Sequence, residues 1–498
     1  MNFPFDQLAG LNVKIERLVT DSRAVQRGDT FVAYPGAKSD GRSFIAEAVS
    51  RGANAVIWEA RNFHWQDAWK VPNLGVPDLR RKAGWLADFV YGAPSEKLWM
   101  VGVTGTNGKT STSHWIAHAL SDTGKRCALI GTLGSGFAGE LKIGANTTPD
   151  SIYIHGFLDD FLRDGAQAVA MEVSSHALVQ ERVNGVRFDV AMLTNLSRDH
   201  LDYHGDMQSY AAAKRRLFDW QHLKYAVVNF DDSYGITLAE QLQDADVEVI
   251  GYGLNDSALK LAESLGTRMV YGSQLEMDGN GLWLTVHSSW GAAKLGSGLI
   301  GRFNAENLLG ALAVLLVSDV GLEDAVQSLG KVKSVSGRMQ RVGEEQHPTV
   351  IVDYAHTPDA LEKVLLALRE VSNSSGGKLF CVFGCGGDRD RGKRAMMGIV
   401  AEKFSDHCIV TSDNPRSEDP DSIIAEVVSG LNGSNHEIIQ DRAAAIVHAI
   451  SVAGQNDTVL IAGKGHEDYQ EIQGVRHPFS DELVARQALK ACHREVRI

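Results

Sequence analysis

The residues with the most recognisable chemistry lie in the stretch VGVTGTNGKTSTS, residues 101–113. It carries Gly105 and Gly108, the polar pair Thr106 and Asn107, then Lys109, Thr110 and Ser111. Glycines let backbone N–H groups approach an anion, a lysine supplies a point charge, and a threonine hydroxyl at a helix start can face Mg²⁺. The spelling departs from the usual G-x-x-x-x-G-K-[ST] loop, because Val103 stands where its first glycine belongs. A phosphate cradle of another kind and a glycine turn with a solvated lysine both fit the composition. The order of elements favours the cradle: the strand WMVGV enters, and a helix leaves with Ile116, Ala119, Leu120 and Thr123 on one face, ending at Gly124.

Other reactive groups fall directly after apolar runs. Glu172 closes AVAMEVSS, and His200 follows DVAMLTN after a short loop. Both can reach a metal beside Thr110, although each also reads as an ordinary loop residue. Lys214, in MQSYAAAKRRLFDW, reads by composition as a solvated charge beside Arg215 and Arg216.

These groups need elements to hold them, and the chain of 498 residues is too long for one core. Two series of near-continuous apolar strands, from about residue 90 and again after Gly337, predict parallel sheets covered on both faces. A shorter N-terminal region of strand-like runs precedes them. The expected architecture is α/β in three domains: 1–88, 89–335 with the phosphate loop in a parallel sheet, and a Rossmann-like 336–498. Chemistry then belongs outside the carboxyl ends of the strands. The serine- and glycine-rich SNSSGGK (372–378) reads as a surface connection between helix and strand.

Hydrophobic residues at 44% and charged ones at 22% are ordinary globular values. The net charge of −13 argues against nucleic acid or an anionic membrane as partner. Five scattered cysteines (Cys127, Cys381, Cys385, Cys408, Cys492) form no C-x-x-C and read as reduced core thiols. No signal-peptide pattern opens the chain, and LLGALAVLLV is too short to span a bilayer, so a cytoplasmic protein is expected.

The spelling G-T-N-G-K-T resembles the ATP loop of the Mur ligase superfamily, synthetases that pass the ATP γ-phosphate to a carboxylate and then form an amide. The resemblance extends through NTTPDS (146–151), EVSSHALVQER (172–182), TNLSRDHLDYHG (194–205), AAAKRRLF (211–218), GRFNAENLLGALA (301–313), DYAHTPDAL (353–361), FGCGGDRDRGKR (383–394), DNPR (413–416) and GKGHE (463–467). It is similar to the branch that joins meso-diaminopimelate to the D-glutamate γ-carboxylate of UDP-N-acetylmuramoyl-L-alanyl-D-glutamate. That activity makes peptidoglycan precursors in the cytoplasm, and so serves the cell wall, cell shape and cell division.

What the resemblance implies can be placed residue by residue. ATP would be held by residues 105–111 with Asn307, Arg338 and Asp353, although Asn307 also reads as a helix-start cap and the other two as a junction salt bridge. Mg²⁺ would lie among Thr110, Glu172, His200 and Lys214, the lysine modified to a carbamate (N6-carboxylysine), so that Lys109, Glu172, His200 and Lys214 form the catalytic set. The nucleotide sugar would touch Asn146, Thr147, Thr148, Ser174, Gln180 and Arg182, with uridine near Thr20 and Ser22 of TDSR, residues that also suit a plain turn. The amino acid would meet Arg389, Asp413, Asn414, Pro415, Arg416, Gly463 and Glu467; within its own loop, Arg416 could instead bridge to Glu418 or Asp419.

The implied reaction passes through an acyl phosphate, which the amine then attacks. His356 is a candidate base for that amine and equally a structural histidine. The expected partners are the three small substrates, acting on a monomer. A folylpolyglutamate synthetase shares the ATP loop but not DNPR or GKGHE; a P-loop ATPase or kinase would release ADP without amide formation, and a non-enzymatic nucleotide-binding module would release no phosphate.

Overall fold

Short β-rich runs at the N-terminal end pair in parallel as β1 (Leu18–Val19), β2 (Thr30–Ala33), β3 (Ala55–Glu59) and β4 (Asn73–Val76), in that spatial order. The computed structural model describes residues 3–36, 39–144, 146–278, 281–343 and 348–495, without the side chains of Ser374 and 492–495. The helix Leu79–Val90 turns Leu79, Ala83, Leu86 and Ala87 onto this sheet, the 3.6-residue spacing of an apolar stripe.

The long series of apolar strands builds a second sheet: β5 (Trp99–Thr104), β6 (Cys127–Gly131), β7 (Gly134–Gly136), β8 (Ala168–Glu172), β9 (Val190–Leu193), β10 (Tyr225–Asn229), β11 (Glu248–Gly253), β12 (Arg268–Asp278), β13 (Gly281–Ser288) and β14 (Gly291–Ser297). Its order is β14-β13-β12-β11-β10-β9-β5-β8-β6-β7. The strands from β12 through β6 run parallel, and β13, β14 and β7 add antiparallel edges. Helix Arg302–Val317 is apolar on every side because it is buried on every side, packed under the sheet with helix Lys109–Asp122. The strand β5 has β8 on one side and β9 on the other, so the order in which strands are added switches sides there, the place where a crevice forms at the carboxyl ends of a parallel sheet.

The last sheet comprises β15 (Gln340–Val342), β16 (Thr349–Asp353), β17 (Leu379–Phe383), β18 (His407–Val410), β19 (His436–Ile438) and β20 (Thr458–Ala462), ordered β15-β16-β20-β17-β18-β19. All pairs but β15·β16 are parallel. Beyond it stands a two-stranded hairpin, β21 (Tyr469–Ile472) and β22 (Val475–Pro478). The three sheets give the α/β class expected. Cys127, Cys381, Cys385 and Cys408 are buried thiols; Cys492 lies outside the described side chains. Among the described residues no helix is long and apolar enough to cross a membrane.

One connection differs from its reading. The helix Pro358–Ser375 continues through most of SNSSGGK, leaving Gly376 (φ +69°) and Gly377 to make the turn. Within this helix two serine hydroxyls bond back to carbonyls of the preceding turn, Ser372 to Arg369 and Ser375 to Val371.

Candidate functional site

Val103 is an interior residue of β5, paired with Glu172 of β8, so the strand itself occupies the place where a standard phosphate loop begins. The turn is made two residues later by Gly105, whose φ of +145° and closeness to Thr194 leave no room for a side chain. The loop is fastened to the end of β9: Thr106 N–H donates to the Asn195 carbonyl, Asn107 N–H to Asn195 Oδ1, and Thr194 Oγ1 to the Asn107 carbonyl. Gly108 (φ +86°) starts helix Lys109–Asp122 without any side-chain cap, so the first-turn N–H groups remain available to an anion. Ser111 and Asn107 line the adjoining cavity.

Lys109 Nζ donates to the carbonyls of Gly105 (2.8 Å) and Thr106 (2.7 Å). Burial lowers its pKa, opposed by the charges of Glu172 and Asp199. Lys214 is 1% exposed, which removes the solvated reading, and its Nζ donates to the same Gly105 carbonyl at 2.7 Å. Burial drives its pKa well below the ordinary lysine value, and the neighbouring Lys109 charge adds to the shift.

Glu172 is fully buried and collects donors from both sides: Thr110 Oγ1 at 2.9 Å, Thr132 Oγ1 at 3.0 Å and Thr132 N–H at 2.8 Å. The Thr110 hydroxyl and the Glu172 carboxylate together suit a hard cation. Among the described residues no three His, Cys, Asp or Glu groups converge to hold a metal. Lys214, as a free amine, contributes no oxygen. His200 lies 3.3 Å from Asp199 and edge-on to His176, and burial pushes its pKa down to about 3.

A narrow cavity of about 80 Å³ beside the phosphate loop is walled by both large units. Asn307, Arg338, Asp353, Glu306 and Trp115 line it. Asn307 is no helix-start cap; it lies inside helix Arg302–Val317, with its amide against Gly108. Arg338 does not bridge to Asp353. It donates to Thr110 Oγ1 at 3.3 Å and lies over the Tyr354 ring, while Asp353 accepts the N–H groups of Met339 and Ala355.

A wider cavity of about 690 Å³ lies between the N-terminal sheet and the central unit, lined by Thr20, Ser22, Phe44, Asn146, Asp150 and Tyr153 among others. Thr20 Oγ1 donates to Asp150 and Ser22 Oγ to Glu47, so both hydroxyls are positioned by acids. Threonines link this region to the metal-suited pair: Thr147 Oγ1 lies 3.1 Å from Thr132 Oγ1, whose own proton goes to Glu172, and Thr148 Oγ1 donates to the Glu172 carbonyl. Ser174 caps helix Ser175–Val179, Gln180 follows it, and Arg182 holds Gln180 Oε1 and the Thr148 carbonyl.

The loops after β17, β18 and β20 meet at one place. Arg416 Nη1 donates to the Gly387 carbonyl at 2.7 Å, and Arg416 and Arg389 both flank Gly386. Pro415 packs its carbonyl on Gly387. Gly463 takes φ +115°, and a Cβ there would sit 2.6 Å from Asp413 Oδ2. Asn414 Nδ2 donates to Glu467 Oε2. Neither own-loop partner of Arg416 is used: Glu418 is taken by the buried Arg394, which also holds Glu426. Glu471 Oε2 instead lies 4.0 Å from Arg416 Nε.

Four residues outside the set read from sequence hold these groups. Asp199 sits between His200 and His356; burial alone would raise its pKa, but the His356 hydrogen bond and nearby positive charges hold it low. Lys393 donates to the His356 carbonyl, and Lys464 to Asn414 Oδ1 and Glu467 Oε2. Arg394 is the fourth. All lie within quoted motifs, and their burial is the signal that composition hides. The large units grip each other through Arg198–Asp390 (3.1 Å), Arg389–Asp202 (3.9 Å) and Asn107 Nδ2 donating to Asp359 (3.1 Å).

Comparisons agree with this geometry. The chain matches the Mur ligase family catalytic domain over residues 14–91, the Mur ligase middle domain over 103–315 and the Mur ligase glutamate ligase domain over 337–465. It is 50% identical over 485 residues to a Chromobacterium violaceum protein named UDP-N-acetylmuramoyl-L-alanyl-D-glutamate–2,6-diaminopimelate ligase, covering 97% of this chain and 96% of that one. A solved structure of a ligase of the same name is 37% identical with a TM-score of 0.66, covering 96% of this chain and 95% of that chain. The MurF ligase of Thermotoga maritima in complex with ADP shares the fold at 19% identity and a TM-score of 0.63, covering 97% and 99%.

Proposed function

The chain belongs to the Mur ligase family, ATP-dependent amide-forming enzymes, and from that premise we propose that it joins meso-2,6-diaminopimelate to the D-glutamate γ-carboxylate of UDP-N-acetylmuramoyl-L-alanyl-D-glutamate. The observation that carries this reading is the 50% identity, over 97% of the chain, to a ligase of that name. The amino-acid pocket supports it, since Arg416 and Arg389 flank one glycine, where a second carboxylate would need them.

The uncapped helix start and Lys109 cradle the ATP phosphates, and Asn307 and Arg338 line the place of the nucleoside. Lys109 offsets the repulsion between the attacking carboxylate and the γ-phosphoryl group. Mg²⁺ would be held by Thr110, Glu172, His200 and the Lys214 carbamate, and when bound it neutralises charge on the phosphates. A lysine must be neutral to be carbamylated, and the burial of Lys214 beside Lys109 favours that form. Thr147, Thr148, Ser174, Gln180 and Arg182 hold the dipeptide so that its γ-carboxylate faces the loop, with uridine in the wider cavity beside Thr20, Ser22 and Asn146. Closure of the two large units keeps water from the acyl phosphate. His356, turned toward Asp199, remains a candidate to take the proton of the incoming amine. The enzyme acts as a cytoplasmic monomer, where its nucleotide substrates are made.

The test is phosphate release with ATP, Mg²⁺, the UDP-muramoyl dipeptide and a panel of amino acids. Release should require the dipeptide and be fastest with meso-diaminopimelate. Arg416→Ala should lose most of that activity, and Arg416→Lys should recover little, because an ammonium lacks the planar fork that grips a carboxylate. A preference for lysine in the unaltered enzyme would refute the reading.

A further inference from the structure

Three elements meet at the junction of the N-terminal and central units: helix Leu79–Val90, helix Ser151–Arg163, and the turn 180–186 that follows helix Ser175–Val179. Gly84 of the first helix approaches the turn so closely that a Cβ there would lie 1.9 Å from the Asn184 carbonyl oxygen. Asn184 Nδ2 donates to the Arg81 carbonyl, and Arg81 pairs with Glu181 at 3.1 Å. From the second helix, His155 Nε2 lies 3.1 Å from the same Asn184 oxygen. A carbonyl only accepts, so Nε2 carries the hydrogen, and in the neutral ring Nδ1 is a bare acceptor. One imidazole thus ties together two substrate-facing segments: Thr147 and Thr148 run into the helix that bears it, and Gln180 and Arg182 stand in the turn it holds.

The other ring nitrogen has a neighbour and no bond. His155 Nδ1 stands 3.6 Å from Asp88 Oδ1 of the first helix, beyond hydrogen-bonding distance, and among the described residues neither of these buried atoms has a hydrogen-bond partner. Two lone pairs face each other across the junction, and a single proton between them would make a bond. The other charges nearby are engaged: Glu96 lies 3.8 Å from Arg187, Lys97 donates to the Gly92 carbonyl, Arg163 holds Asp159 and Asp160, and the Tyr91 hydroxyl accepts the Leu18 N–H. Among the described residues no lysine or arginine pairs with Asp88. Burial, reinforced by the charge of Glu96, raises the Asp88 carboxyl to about 6, whereas burial lowers His155 to about 4, so the carboxyl takes up the proton first as pH falls.

We propose that His155 is a positioning residue for the nucleotide-sugar dipeptide, and that Asp88 makes it a one-proton clasp between the N-terminal and central units: uptake of a proton turns the two facing lone pairs into a hydrogen bond and tightens the hold of His155 on the turn carrying Gln180 and Arg182. The proposal rests on the reading of Gln180 and Arg182 given above. Neither Asp88 nor His155 touches substrate; both act through the turn. The clasp is open when Asp88 is ionised, because the carboxylate then has no hydrogen to offer Nδ1, and closed when the carboxyl donates.

The experiment compares the full-length enzyme with Asp88→Asn, whose amide is a permanent donor, and with Asp88→Ala, which has none. For each, kcat and the KM values for the UDP-muramoyl dipeptide and for ATP are measured at about pH 5 and about pH 8, and amide hydrogen exchange of residues 181–186 is compared between proteins at the same pH. At the higher pH, Asp88→Asn should lower the dipeptide KM at least about threefold, the scale of one hydrogen bond, and slow exchange in the turn. At the lower pH it should match the unaltered enzyme, with kcat and the KM for ATP unmoved at both. Asp88→Ala should have a higher dipeptide KM than Asp88→Asn at both pH values. A ratio of unaltered to Asp88→Asn that is the same at both, or Asp88→Ala behaving as Asp88→Asn, would overturn the proposal. Arg182→Ala tests the underlying reading separately. If it leaves the dipeptide KM untouched, that reading fails and takes the positioning role with it, while exchange in the turn still decides whether the proton closes the clasp. If it raises the KM and Asp88→Asn changes nothing, the clasp alone is refuted.

Discussion

Lys109 and Lys214 donate to one carbonyl oxygen, that of Gly105, and this arrangement gives the two lysines different work. Two ammonium groups so close repel each other, and the more buried one, Lys214, loses more by staying charged. Lys109→Ala should lower phosphate release at least about a hundredfold, the scale of removing one group that stabilises transition-state charge; turnover near the unaltered rate would contradict its role. Lys214→Ala should be equally impaired but regain activity with added short carboxylic acids that fill the place of the carbamate. A folded, ATP-binding variant that no acid rescues would remove support for the modification. Single residues differ in how far their sequence context exposes them. Lys109 was legible because its neighbours are glycines after a strand; Lys214, flanked by two arginines, reads as solvated until the fold buries it. Arg394 and Lys464 were hidden for the same reason, since a buried charge is spelled like an exposed one.

At the scale of elements, the carboxyl ends of parallel strands were the legible feature. Apolar runs marked β5, β8, β9, β16, β17, β18 and β20, and the polar residues after them marked the loops that meet. What could not be read was pairing order, which sets β5 between β8 and β9, and the hairpin that braces Arg416, because its residues carry no apolar alternation. The helix Arg302–Val317, apolar from Leu308 onward, carries one acid, Glu306, to the cavity beside the phosphate loop. Burial raises the pKa of Glu306 from 4.5 to about 7, with Lys363 opposing and Asp231 reinforcing the shift. Between those values the folded protein holds a proton that the unfolded chain has lost, so stability falls as pH rises from about 4.5 through about 7. Glu306→Gln should therefore gain stability at pH 8 relative to pH 5, by no more than about 3 kcal/mol. Denaturant midpoints at the two pH values measure it, and a gain that does not grow with pH would show that Glu306 titrates normally.

The whole molecule is a central unit with one partner on each side, and the two cavities described above lie at the two junctions. The three sheets were readable as separate series, but which surfaces face each other was not, because ion pairs such as Arg198–Asp390 join residues almost two hundred positions apart. Because the loops proposed to bind the amino acid and the phosphates belong to separate α/β units, the enzyme is expected to be more open in solution before substrates bind. Small-angle scattering should show contraction when an ATP analogue and the dipeptide substrate are added together, and an unchanged radius would count against closure.

The placement of the proposed nucleotide cavity, walled by both large units, also has a temporal meaning. Because both large units wall that cavity, a nucleotide seated there is expected to arrive while they are apart. Arg389, assigned above to the proposed amino-acid pocket, reaches across to Asp202 of the central unit, so that pocket would be complete only once they have come together. Entry is thereby queued. Nucleotide is therefore expected to bind first and the amino acid last. A chase experiment should find prebound labelled ATP committed to product when excess amino acid is added, while prebound amino acid exchanges freely.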